Sequence, residues 1–154
     1  AAFFSAVVSE PGTAEALARL KAAGLRVGVG TNMTAEQQYT KLEKLGLLKY
    51  VDFLVTSEEV SAEKPDRRLF ELCVKKAGCA PADCLFVGDS LQGDVLGAQA
   101  AGLSAVYLRR EGEPEAPSGI PCVRSVPELA GALLGETLKL QQKSLNIQSK
   151  ENET

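Results

Sequence analysis

The chain has 154 residues, 45% hydrophobic and 24% charged, which is one domain's worth of ordinary globular composition. Its 17 basic and 20 acidic residues leave a net charge of −3, which argues against an electrostatic nucleic-acid binder. Histidine is absent, so imidazole general-base catalysis, Ser-His-Asp triads and His-ligated zinc are excluded within this sequence.

The chain begins without Met, as expected of a processed or truncated product. Its apolar start, AAFFSAVV, follows no basic region and is too short to span a bilayer; no other stretch is long enough, so no membrane partner is expected. The Pro11-Gly12 turn opens a helix over 13–23. LRVGVG (25–30) is a β-branched run read as a strand. Thr34 and Gln37 form a capping box for a helix running through Leu42 and Leu45 to a stop at Gly46. DFLVTS (52–57) is the next strand. Pro65 suits a first helical position, Leu69, Phe70, Cys73 and Val74 make one apolar face, and Gly78 is the stop. CLFVGD (84–89) is a third strand, followed by a helix through Ala98 and Ala101, and SAVYLR (104–109) is a fourth. A Pro/Gly-rich loop, EGEPEAPSGIP, precedes a short helix in VPELAGALL. Residues 135–154 read as a polar, solvated or weakly helical tail behind a core of residues 1–134.

Strands alternating with helices of about ten residues predict βαβ units and an α/β fold with a parallel sheet covered on both faces. None of the cysteines, Cys73, Cys79, Cys84 and Cys122, forms a CxxC pair, so structural zinc is not expected. Three of the four sit in apolar periodic segments, which predicts buried free thiols and a reducing, cytoplasmic setting.

In parallel α/β folds, ligands bind at the carboxyl ends of strands. The polar residues directly after each apolar run are therefore the candidates. They are Thr31 and Asn32, then Glu58, Glu59 and, a few residues on, Lys64, then Asp89, Ser90 and Asp94. Two carboxylates suit a hard cation such as Mg²⁺, a hydroxyl and an amide can hold phosphate oxygens, and a lysine can neutralise developing charge. Each has a plainer reading. Thr31 could satisfy a helix terminus, Asn32 turn the chain and Lys64 be a solvated surface residue. Asp89 could be an N-cap and Asp94 a first-turn dipole partner.

Order and position lift the set above those readings, because GVGTN (28–32), EKPDRRLF (63–70) and FVGDSLQGD (86–94) resemble the second, third and fourth motifs of the haloacid dehalogenase (HAD) superfamily of phosphatases. The resemblance covers roughly residues 11–134 and implies a three-layer Rossmann-like core. It implies that Thr31, helped by Asn32, hydrogen-bonds the transferring phosphoryl group, and that Lys64 bridges phosphate and nucleophile. Asp89 is then expected to contact Mg²⁺ directly, and Asp94 to orient the metal's waters or the lysine. The implied substrate is a small phosphorylated metabolite.

One departure outweighs these matches. The family's first motif, Asp-x-Asp, supplies the nucleophile and the general acid/base, and no Asp-x-Asp occurs here; upstream of Thr31 the only acids are Glu10 and Glu15. The chain thus resembles the C-terminal part of such an enzyme, with the first strand missing and AAFFSAVVSE as the exit from an absent cap. Asn32 and Lys64 lie 64 − 32 = 32 positions apart, a gap that one helix and one strand consume, so no cap is inserted there. Substrate choice resides mostly in the cap and is not readable. Three outcomes are open for the central slot: FFSAVV fills it, the flanking strands close up, or self-association through the open sheet edge supplies a strand. The expected activity is Mg²⁺-dependent phosphatase chemistry in the full-length lineage and little turnover by this chain alone. The alternative is a non-catalytic phosphate- and Mg²⁺-binding or regulatory domain. A receiver-type phosphoacceptor is disfavoured, because there the acidic pair comes first and the lysine last.

Overall fold

The computed structural model describes residues 2–4 and 10–135. The elements are β1 (Ala2–Phe4), α1 (Thr13–Ala22), β2 (Val27–Thr31), α2 (Ala35–Lys44), β3 (Phe53–Thr56), α3 (Ser57–Val60) and α4 (Arg67–Ala77). β4 (Leu85–Gly88), a π-helical turn (Leu91–Leu96), α5 (Gly97–Ala100), β5 (Ser104–Leu108) and β6 (Cys122–Val123) follow, and α6 spans residues 126–135. All strand pairs are parallel, in the order β3-β2-β1-β4-β5-β6.

Alternation along the strands divides the core in two. Val27, Val29, Val87, Val106 and Leu108 face one way, against Leu17 and Leu20 of α1, Leu42 of α2 and Leu129 of α6. Val55, Phe86, Ala105 and Tyr107 face the other way, against Leu69, Phe70 and Cys73 of α4 and Ala98 of α5. Helices on both faces of one parallel sheet make the expected three-layer architecture. Phe70 and Phe86 meet edge to face, with ring centroids 4.9 Å apart, and tie α4 to β4. No described helix is long and apolar enough to cross a membrane.

Local chemistry sets the element ends. Thr34 and Gln37 form the expected capping box, and Gly78 ends α4 in the left-handed conformation at φ +67°. Pro65 is not a first helical residue, because Asp66 is the N-cap of α4 and accepts the Arg68 N–H at 2.9 Å. β2 starts at Val27 rather than Leu25; Arg26 turns its guanidinium to the carbonyls of Lys76 and Ala77 instead.

The central slot is occupied. Ala2 pairs with both Val27 and Leu85, so β1 lies between β2 and β4 and satisfies backbone groups that a gap would leave unpaired. Of the three outcomes, the N-terminal segment filling the slot is the one found. Reading that segment only as a cap exit is corrected for residues 2–4. Residues 5–9, which include the last four of FFSAVV, and the tail from 136 onward lie outside the described residues. All four cysteines are free, but only Cys73 and Cys84 are buried. Cys79 is half-buried beyond the end of α4, and Cys122 is exposed on the edge strand β6, so the expectation of burial for three of the four is corrected.

Candidate active site

The strand order reverses direction at β1. Connections run outward from β2 to β3 on one side and from β4 to β5 and β6 on the other. Such a switch point opens a crevice at the carboxyl ends of the strands. Thr31 ends β2, Asn32 follows it, and Asp89 directly follows β4, so the candidates from β2 and β4 flank the end of β1.

Lys64 is the hub of the described site. Its Nζ donates to Asp94 Oδ1 at 2.7 Å and to the Gly30 carbonyl at 3.3 Å, and lies 5.7 Å from the centroid of the Phe86 ring. Its side chain is 9% exposed, which sets aside the solvated-surface reading. Its backbone N–H donates to Asn32 Oδ1 at 2.8 Å. Asn32 therefore fixes the loop that carries Lys64, and its carbonyl oxygen accepts from Ser57 Oγ at 3.2 Å. The amide oxygen of Asn32 is thus engaged inside the protein, and only its N–H groups could donate to a phosphoryl oxygen.

Asp94 reaches Lys64 because it sits on the π-helical turn, a widening of the helix that recurs at functional sites. Ser90 caps this turn by accepting the Gly93 N–H at 3.0 Å, while the Ser90 N–H donates to Asp94 Oδ2 at 3.1 Å. Both carboxylate oxygens of Asp94 are thus used, and the residue is buried. Gly88 makes this approach feasible. A Cβ there would lie 2.2–2.4 Å from the Asp94 side chain, far inside contact distance.

Thr31 is buried, and its hydroxyl donates to Gln38 Oε1 at 3.3 Å while accepting the Met33 N–H at 3.1 Å. Gln38 was not among the sequence candidates. It shares the apolar face of α2 with Leu42, and a glutamine at that spacing requires a partner across the helix. Its Nε2 is buried without a hydrogen-bond partner among the described residues.

Asp89 stands apart from the Lys64–Asp94 pair. Its Oδ2 lies 2.8 Å from Arg110 Nε, an ion pair whose N–H is not aligned on the carboxylate as a hydrogen bond. The Asp89 side chain is one-third exposed (33%), so it is the accessible carboxylate of the two. Arg110 was also missed, although it follows the β5 run SAVYLR by the same strand-end rule that located the others. Glu58 donates no group to this cluster; its Oε2 accepts the Ala35 N–H, and Glu59 pairs with Lys76.

For a hard divalent cation the donor set is sparse but suitable. Among the described residues no three acidic, His or Cys side chains gather into one cluster. Mg²⁺ is commonly held by one or two carboxylates and keeps several waters; the accessible Asp89 can serve as one such ligand, while both oxygens of Asp94 are engaged by Lys64 and the Ser90 N–H.

A family model for haloacid dehalogenase-like hydrolases matches residues 5–102. The glyceraldehyde 3-phosphate phosphatase of Methanothermobacter thermautotrophicus is 41% identical over 101 residues, covering 66% of this chain and 45% of that protein. The phosphoserine phosphatase of Thermus thermophilus is 39% identical over 122 residues, covering 79% and 49%. The structure of a HAD phosphatase from Thermococcus onnurineus superposes with a TM-score of 0.73 at 33% identity, covering 82% of this chain and 58% of that one. The chain spans about half the length of the curated relatives it matches.

Proposed function

Because the chain belongs to the haloacid dehalogenase-like hydrolase family, matched over residues 5–102, we propose that it carries the phosphate-binding and cation-binding half of a phosphatase acting on a small phosphorylated metabolite. The observation that carries this reading is the placement of Lys64. A nearly buried ammonium, oriented by Asp94 and the Gly30 carbonyl, stands at the crevice between the ends of β2 and β4. Phosphoryl transfer depends mostly on positioning and charge stabilisation, and a preoriented ammonium supplies both without reorganising.

Each residue has a defined task in this reading. Lys64 neutralises charge on phosphoryl oxygens. Thr31 offers a hydroxyl proton, which it redirects from Gln38 to a phosphoryl oxygen on binding. Asn32 keeps Lys64 in place through its backbone N–H. Asp94 orients the ammonium, and Asp89 is the carboxylate that would hold Mg²⁺. When bound, Mg²⁺ supplies positive charge to the phosphoryl oxygens.

A nucleophile is not among these groups. The residues that continue from β1, Ser5-Ala6-Val7, contain no carboxylate, and the first acid in the chain is Glu10. A hydroxyl and an ammonium committed to binding phosphate do not replace it. The same observation supports the second reading, in which this polypeptide by itself binds phosphate and Mg²⁺ without turnover. Isothermal titration with inorganic phosphate in the presence of Mg²⁺ tests the binding half. We expect millimolar-range binding, on the order of Kd 1 mM, that Lys64→Met abolishes. Phosphate binding unchanged in Lys64→Met would overturn the assignment.

A further inference from the structure

The two carboxylates of the site are held in opposite ways. Asp94 is buried, and both its oxygens are engaged by Lys64 and the Ser90 N–H. Asp89 is accessible, and the one charged partner found for it among the described residues is Arg110, at 2.8 Å. Arg110 therefore places positive charge where a divalent cation bound to Asp89 would place its own. The two cations cannot share the oxygen facing Arg110, since like charges at contact distance repel strongly where water is partly excluded.

The structure also gives the guanidinium somewhere to go. Arg110 lines a cavity of about 730 Å³ together with Glu10, Arg109, Glu111, Gly112 and Arg124. Glu10 and Glu111 offer carboxylates there. Arg109 is tied elsewhere, its Nε donating to the Glu113 carbonyl at 3.1 Å and its Nη1 lying 3.9 Å from Glu115 Oε1. A side chain 40% exposed and lining this cavity has room to turn from Asp89 toward these carboxylates, which also offset the charge of Arg124 on the same wall.

We propose that Arg110 is a built-in competitor for the divalent cation at Asp89: it occupies the carboxylate in the cation-free protein, withdraws into the adjoining cavity when the cation binds, and thereby weakens cation affinity. The inference rests on the assignment of Asp89 as a cation ligand made above. Coupling of this kind is reciprocal, so the cation must loosen the Asp89–Arg110 pair by the same factor by which the pair weakens the cation.

The test is Mn²⁺ binding to the full chain, read by the loss of the free-ion electron paramagnetic resonance signal, in the wild type and in Asp89→Asn, Arg110→Gln and Arg109→Gln. Thermal melts confirm that each variant is folded. Removing Arg110 is expected to tighten Mn²⁺ binding roughly three- to fivefold, the scale of a partly exposed ion pair. Arg109→Gln, which deletes the same charge from the neighbouring position, is expected to change it less than twofold. In the wild type, the Arg110 Nε–H resonance in ¹H–¹⁵N spectra is expected to shift saturably with Mg²⁺. Binding lost in Asp89→Asn but unaltered in Arg110→Gln would overturn the competition and leave the site assignment standing. Equal tightening in both arginine variants would overturn it too, reducing the effect to net charge. Binding indifferent to Asp89→Asn would overturn the site assignment and the competition together.

Discussion

Lys64 Nζ and Asp94 Oδ1 lie 2.7 Å apart although 94 − 64 = 30 positions separate them in the chain, and both side chains are more than nine-tenths buried. Each charge has been taken out of water and is tolerated because the other is there. Removing one partner of such a pair is far more costly than its net contribution to stability, since the remaining charge is stranded. Asp94→Asn is therefore expected to lower unfolding free energy by on the order of 3 kcal/mol, read by urea denaturation. The double replacement Lys64→Met with Asp94→Asn is expected to recover part of that loss. A single variant as stable as wild type would show that the pair is solvated in solution.

Gly88 is expected to be indispensable for a reason of space. Its φ is not left-handed, but an added Cβ would lie 2.2 Å from Asp94 Oδ2. Gly88→Ala must push the π-helical turn away from β4. We expect a stability loss of about 1–3 kcal/mol, with phosphate binding lost even where the variant still melts cooperatively. Phosphate affinity retained in Gly88→Ala would show that Asp94 does not need this position.

Much of the arrangement of the candidate residues is legible in the sequence because the sheet is parallel. Thr31 and Asp89 stand at the ends of apolar runs, Lys64 and Asp94 lie a few residues on, and a parallel sheet puts all such strand ends on one edge. Gln38 and Arg110 escaped for different reasons. Gln38 lies in mid-helix, where only its spacing from Leu42 marks it as inward-facing. Arg110 follows the fourth strand run, SAVYLR, outside the three motifs that carry the family resemblance. The role of Asn32 was not readable either, because its partner is the backbone N–H of a residue 32 positions away. The occupied slot at β1 rests on three residues, Ala2–Phe4, too few for alternation to declare a strand.

The carboxylates of Asp52 and Glu59 give an acid-side dependence of stability. Burial pushes each carboxyl up, but Lys21 and the Val27 N–H at Asp52, and Lys76 and the Thr56 N–H at Glu59, more than offset it and hold both below the ordinary range. A carboxylate whose folded value lies below its unfolded one adds stability that is present above the unfolded value and lost as pH falls through the folded one. Thermal melts are expected to be flat between about pH 6 and pH 8, since the chain has no histidine, and to fall below about pH 4. Lys21→Met is expected to reduce that acid-side fall, by no more than about 1 kcal/mol for so exposed a pair. A melt midpoint that rises on acidification would contradict this.

Thiol chemistry should separate the four cysteines. Burial pushes the Cys73 thiol up to about 12, and burial with the neighbouring Cys79 does the same for Cys84. Both are neutral thiols near neutral pH, and only the thiolate reacts. With Ellman's reagent at pH 8, exposed Cys122 is expected to react first and half-buried Cys79 more slowly, with Cys73 and Cys84 reacting only on unfolding. Four rapidly reacting thiols in the native protein would contradict the packing of α4 against β4.

Steady-state hydrolysis of p-nitrophenyl phosphate by the purified 154-residue chain, with saturating Mg²⁺, tests most directly the claim that this chain binds phosphate but lacks the group that turns it over. The expected result is no rate above buffer under conditions where inorganic phosphate binds and Lys64→Met does not bind it. Mg²⁺-dependent turnover that Asp89→Asn abolishes would contradict the claim and place a nucleophile among residues assigned here to binding or structure.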